Sequence, residues 1–391
     1  MLRLFFSASL LVALAANAQM CRARASWPTQ AWPEALLKAD MKVAEVKALE
    51  DFAFTLEGKP EERLGYRTNG LVVIKNGAIV YEKYARGWDA SKRHLSWSVA
   101  KSISSTLVGV AVQQGLMDVN DSVCKHLTEY AGDPVVCAIT VKHFLEFGSG
   151  LQWQEEYEDR SYQVSSVIAM LFGTGRRDQV RHVLTHRKLH EPGSMFAYST
   201  GDAHVVSTLA KRALTGKHGA NAFWSQLFDT VGMPSTVFEE DITGNPLGGS
   251  FVYATPRDFA KVGFLMLNDG CWADQRLVPV GWVQKATAVS DTFRAARGDC
   301  SGTRAPADTF QLPCEDTPNG YMWWLNRPPA AGVEKPWKDA PDDTYAALGH
   351  WGQRIIVIPS EDLVIVRVGD DRQGSIPVNE LVKFVLPLVR P

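Results

Sequence analysis

The chain has 391 residues, 46% hydrophobic and 21% charged, with a formal net charge of −2. That length can bury a sizeable core and leaves one to three domains open. The near-neutral balance argues against a nucleic-acid-binding surface, and past residue 18 no apolar run is long enough to span a bilayer.

At the N-terminus, Arg3 precedes an apolar stretch from Leu4 to Ala15 and a small-x-small site, Ala16-Asn17-Ala18. This pattern predicts a signal peptide over residues 1–18, cleavage before Gln19, and export to the periplasm or the medium. Gln19-Met20 fits a lipobox ahead of Cys21 poorly. The mature chain holds Cys21, Cys124, Cys137, Cys271, Cys300 and Cys314, an even set compatible with disulfides in an exported protein. Cys124/Cys137 and Cys300/Cys314 are the nearest pairs in sequence. No C-x-x-C occurs, so a zinc site has little support.

Residues 19–60 read as an exposed lead-in followed by a short helix. Leu71-Val72-Val73-Ile74 and Ile79-Val80-Tyr81 flank Asn76-Gly77, which predicts a hairpin over 71–84. Ser98 to Leu116 is the clearest helix, with Val99, Ile103, Leu107, Val110 and Ala111 at the spacing of a buried face. Val108 and Val112 make it apolar nearly all round, so it belongs inside the protein. A second hairpin is expected from Arg354–Ile358 and Leu363–Val368, then a final helix over about 377–389. The implied fold class is α+β: an antiparallel sheet from both chain ends, flanked by helices, with a mainly helical subdomain inserted at about 121–245.

Three short motifs follow in order: Ser98-Val99-Ala100-Lys101, Tyr198-Ser199-Thr200 and His350-Trp351-Gly352. Ser98 opens the buried helix, where backbone N–H groups and the positive dipole end face any developing oxyanion. Lys101, three residues on, shares its face. Burial pushes its amine toward the neutral, basic form that can take a serine proton. Ser122-Val123-Cys124-Lys125 repeats the spacing, but it follows an acidic loop and opens no long apolar helix. The plain alternative for Ser98 is a capping serine.

Residues 96–102, Ser-Trp-Ser-Val-Ala-Lys-Ser, resemble the active-site helix of the serine β-lactamase superfamily. The segments 139–145, 148–151, 192–202, 248–250 and 255–261 resemble blocks that follow it there. The likeness runs from about residue 60 to the end. Within the superfamily it points to the class C-like hydrolases that include 6-aminohexanoate-dimer hydrolase and the family VIII esterases. It implies a β-lactamase/transpeptidase-like hydrolase domain over 61–391. Ser98 would be the acylated nucleophile, Lys101 its base and Tyr198 the proton shuttle, whose phenolate a Lys101 ammonium would favour.

The third motif departs from the family. Where β-lactamases carry Lys-Thr-Gly or a close variant, this chain has His350-Trp351-Gly352. In this reading Gly352 permits close backbone approach, and the N–H of Gln353 completes the oxyanion hole with that of Ser98. His350 is at most a partial cation at neutral pH, or simply a structural histidine. The loss of the lysine favours carboxylic esters or linear amides over β-lactams.

His182, His186 and His190 recur every four residues, but Arg181, Arg187 and Lys188 mark a solvated face, so no metal is expected. Trp97, Trp153, Trp323, Trp324 and Trp351 are candidates for an apolar acyl pocket, each singly accounted for by core packing. Glu155, Glu156, Glu158 and Asp159 read as a solvated loop that borders the cleft. The expected activity is that of an exported serine hydrolase with a small-molecule ester or amide substrate, needing no cofactor, nucleic acid or membrane span. A β-lactamase or D-amino-acid peptidase is the alternative, and a non-catalytic penicillin-binding-like sensor is a third. The oligomeric state and disulfide pairing stay open.

Overall fold

The computed structural model describes residues 21–38, 40–157, 165–296, 317–329 and 332–391. The N-terminal residues 1–18, Glu158, Asp159, Cys300 and Cys314 lie outside these.

Helix α1 (Val43–Phe54) precedes strands β1 (Thr68–Lys75) and β2 (Ala78–Tyr84). Asn76 and Gly77 join the strands with positive φ angles of 53° and 83°, the backbone a tight hairpin requires. A short strand β3 (His94–Leu95) leads into α2 (Val99–Gln113). Farther on come α3 (Thr200–His218), β4 (Val237–Phe238), β5 (Val252–Ala254) and α4 (Pro256–Leu267). The C-terminal part supplies β6 (Trp324–Leu325), β7 (Tyr345–Gly349), β8 (Gln353–Ile358), β9 (Leu363–Gly369) and α5 (Val378–Val389).

The main sheet is antiparallel, in the order β2-β1-β9-β8-β7-β6. The N-terminal hairpin thus pairs with the C-terminal one, with Val72 opposite Val366. Strands β1, β8 and β9 are buried along almost their whole length, which explains their unbroken apolar sequences. Their alternating side chains feed two cores. Val72, Ile74, Ile355, Val357, Val364 and Val366 face the core that contains α2. Leu71, Val73, Ile356, Ile358, Leu363 and Ile365 face α1 and α5, where Phe52 stacks on Phe384 at 4.6 Å. The α+β architecture with a sheet built from both chain ends is therefore present.

The lead-in is less exposed than its composition indicates. Trp32 is 5% exposed and, with Trp27, packs on Phe264 of α4. A disulfide between Cys21 and Cys271 ties this segment down across 250 residues, a pairing that neighbouring positions in sequence do not reveal. Cys124 does pair with Cys137. Among the described residues no helix is long and apolar enough to cross a membrane.

Candidate active site

Two local devices place Ser98. The Ser96 amide donates to Val252 O at 2.8 Å, and the Ser96 hydroxyl bridges to Ser250 O and the Val252 amide, which anchors the approach to the helix. Trp97 then takes φ 45°, a left-handed conformation that costs a bulky residue strain and turns the chain abruptly into α2. Ser98 occupies the N-cap position with helical angles, φ −65° and ψ −5°, and its side chain caps no amide. The hydroxyl is left for chemistry, unlike that of an ordinary capping serine. Ser122 behaves in the opposite way: its hydroxyl accepts from the Cys124 amide and donates to Cys137 O, while Lys125 pairs with Asp121.

Lys101 is 1% exposed and stands one turn below Ser98. Its Nζ lies 2.9 Å from Ser98 Oγ, 2.8 Å from Thr200 Oγ1 and 2.8 Å from Gly249 O. Burial pulls the amine down to about 8, opposed by the negative charge of Glu155. With one proton gone, the two remaining hydrogens match Thr200 and Gly249, which leaves the lone pair toward Ser98. Glycine is required at 249, because a Cβ there would meet Thr200 Cγ2 at 2.6 Å.

Tyr198 precedes α3, its ring against Phe147 and Trp324 and 4.8 Å from Lys101 Nζ. Burial pushes its phenol well above the ordinary tyrosine value; Glu155 adds to this and the Ser98 hydroxyl opposes it. The phenolate expected from a lysine neighbour is therefore not the resting form. Burial thus favours the neutral phenol, which can both donate and accept.

Glu155 is the residue whose place the sequence concealed. Expected on a solvated loop, it instead takes the first amide of α3, Thr200 N, at 2.8 Å and the Trp153 indole N–H at 2.6 Å. It also accepts the Thr200 hydroxyl and, at 3.1 Å, the Tyr157 phenol. A carboxylate on a helix N-terminus is favourably placed. Its only trace in the sequence is an acidic residue two positions from Trp153 and Tyr157. Asp202, also at the start of α3, is fully enclosed and raised to about 7 by burial, with Ser149 Oγ donating to it at 3.0 Å.

The turn between β7 and β8 holds the third motif. His350 stacks on Tyr157 at 5.2 Å and meets Trp97 edge-on at 5.3 Å, while Trp351 meets Trp97 at 5.0 Å. Trp97, Trp324 and Trp351 thus belong to the site's aromatic wall, whereas Trp323 is wholly buried against Tyr345. Gly352 packs closely on the C-terminal end of β9 and the residues after it. A Cβ on it would meet Arg367 and Asp371, a buried ion pair of 2.6 Å. Gln353 is 2% exposed, and its side-chain Nε2 donates to His350 O at 3.0 Å and Gly369 O at 2.8 Å. The glycine that approaches the segment leading to Ser98 is Gly349, where a Cβ would meet Ser96 O at 2.5 Å.

His182 and His186 meet edge to face at 4.8 Å, and His186 Nδ1 bonds His182 O at 2.7 Å. Among the described residues, no three His, Cys, Asp or Glu side chains are grouped to hold a metal.

The sequence profile of the β-lactamase family matches residues 55–375. The 6-aminohexanoate-dimer hydrolase of Paenarthrobacter ureafaciens is 26% identical over 310 residues, 77% of this chain and 72% of that protein. A family VIII carboxylesterase shares the fold with a TM-score of 0.58 and 14% identity, covering 89% of this chain and 98% of that one. A class C β-lactamase variant does so with a TM-score of 0.56 and 13% identity, covering 90% and 99%. With the family's profile matched over most of its length, the chain belongs to the β-lactamase family.

Proposed function

We propose that the chain is an exported serine hydrolase that forms an acyl-enzyme on Ser98 from carboxylic esters or linear amides. The observation that carries this reading is the ordered set Ser98–Lys101–Thr200–Glu155, in which every polar hydrogen but the serine's has a committed acceptor. Lys101 takes the proton of Ser98 as Oγ attacks the carbonyl carbon. Tyr198 passes a proton to the departing alkoxide or amine, then helps a water attack the ester that remains. The start of α2 and the amide of His350, carried by the close approach of Gly349, are the proposed oxyanion donors, in place of Gln353.

The aromatic wall of Trp97, Tyr157, His350 and Trp351 favours an apolar acyl group. Glu155 places a negative charge beside the nucleophile's base, which disfavours substrates that present a carboxylate there. The two disulfides support export. The test compares p-nitrophenyl butyrate with nitrocefin, using Ser98→Ala as control. Faster ester turnover that vanishes in the variant is expected. Faster nitrocefin turnover would establish the β-lactamase reading, and no turnover of either, with intact ligand binding, a sensor.

A further inference from the structure

A cleft of about 670 Å³ is lined in part by Trp97 but by none of Ser98, Lys101 or Tyr198. It is lined by Arg67, Arg86 and Arg93 together with Trp88, Trp97 and Trp351. Arg67 is 7% exposed, and its Nε and Nη1 have no hydrogen-bond partner among the described residues. Arg86 Nε likewise has none, its Nη2 being held by Arg67 O and Asn69 Oδ1.

The nearby acids have other partners, although Asp371 Oδ1 also accepts the backbone amide of Arg67 at 2.7 Å. Asp371 is taken up by Arg367 at 2.6 Å and 2.9 Å, and Asp370, which lines the cleft, by Arg372 at 2.9 Å. His94 adds no charge: its Nδ1 bonds Leu95 O at 3.0 Å and its Nε2 meets Asn69 at 2.8 Å, and burial pulls it down to about 4. Two adjacent guanidinium groups with no carboxylate in ion-pair range among the described residues are costly to bury. Burial and the Arg67 charge pull Arg86 down to about 10, against the opposing charges of Asp370 and Asp371.

We propose that this cleft binds a small organic carboxylate, its charge on Arg67 and Arg86 and its apolar body against Trp88 and Trp97. A planar carboxylate suits the guanidinium fork, and the indole walls suit an aromatic or short aliphatic body. The site shares Trp97 and Trp351 with the aromatic wall of the acyl-transfer site, but its charge-binding residues, Arg67 and Arg86, belong to the cleft alone and its ligand is held without reaction.

Calorimetric titration of the full protein with benzoate, benzamide and inorganic phosphate, each alone, tests it. Benzoate should bind roughly tenfold tighter than benzamide, as expected for charge-assisted hydrogen bonds. Arg67→Met keeps the chain length of a side chain that makes no hydrogen bond, and should weaken benzoate roughly tenfold while leaving benzamide unchanged. Arg86→Gln should act in the same direction. Equal binding of benzoate and benzamide by the unaltered protein, or unchanged benzoate binding in Arg67→Met, would overturn the proposal. Phosphate binding tighter than benzoate would also overturn it, assigning the cleft to a free inorganic anion. The comparison of ligands on the unaltered protein decides the matter even where a variant fails to fold.

Discussion

The Lys101 amine lies 2.8 Å from the Thr200 hydroxyl, and that hydroxyl donates its own proton to Glu155. The relation orients the amine as well as holding it. Thr200 must accept from Lys101 because its one proton is already spent, so the lysine lone pair is left for Ser98.

In the proposed mechanism this orientation makes the acylation rate depend on the ionisation of Lys101, which burial pulls down to about 8. The neutral amine is the active form, so kcat/KM should rise roughly tenfold per pH unit below that value and level off above it. Lys101→Ala should lower kcat by roughly 10²–10⁴-fold while circular dichroism stays unchanged. A pH-independent rate through neutrality would contradict the assignment.

Glu155 raises the Lys101 value, so its removal has a definite sign. Glu155→Gln should move the rising limb of the pH–rate profile to lower pH, and should lower the plateau by disturbing Thr200. Thr200→Val should lower the plateau as well. An unmoved limb in Glu155→Gln would show that the carboxylate does not act on the amine.

Ser98 and Ser122 carry the same local spacing to Lys and predict opposite outcomes. A fluorophosphonate should add once to the protein, and Ser98→Ala should abolish the adduct in intact-mass analysis. Ser122→Ala should label and turn over normally, but lose about 1 kcal/mol of stability with its cap to Cys124 N.

Gly349 and Gly352 separate the two placements of the third motif. Gly349 has extended angles, φ −128° and ψ 153°, so alanine there is barred only by Ser96 O. Gly349→Ala should reduce kcat by roughly tenfold or more through displacement of β7, with a modest change in Tm. Gly352→Ala meets φ 85° and the Arg367–Asp371 pair, and should chiefly lower Tm, by roughly 1–3 kcal/mol in stability. The reverse pattern in kinetics and thermal melts would return the oxyanion role to the Gly352–Gln353 peptide.

The Cys21–Cys271 bond closes a very long loop, so its loss frees much of the unfolded chain. Replacing both cysteines by serine should cost roughly 2–5 kcal/mol and leave kcat nearly intact, since neither residue approaches Ser98. N-terminal sequencing of the exported protein should begin at Gln19.

Local pattern alone determined much here. The apolar runs around Asn76-Gly77 and around residues 359–362 define hairpins, because a two-residue side-chain period and a turn of restricted backbone are written in adjacent residues. The start of α2 was legible for the same reason, and with it Ser98 and Lys101, since helical spacing alone puts them on one face. What only the tertiary structure decided depends on partners far apart in the chain. Glu155 reads as solvated until the first amide of α3 is brought to it. Tyr198 reads as a phenolate favoured by its lysine until the fold encloses it and burial pushes the phenol up. Gly349 and Gly352 are indistinguishable until Ser96 stands beside one and Arg367 beside the other. Cys21 has no visible partner until α4 and the lead-in meet. In each case the deciding quantity is desolvation or close contact, and both are set by what packs against a residue, not by its neighbours in sequence.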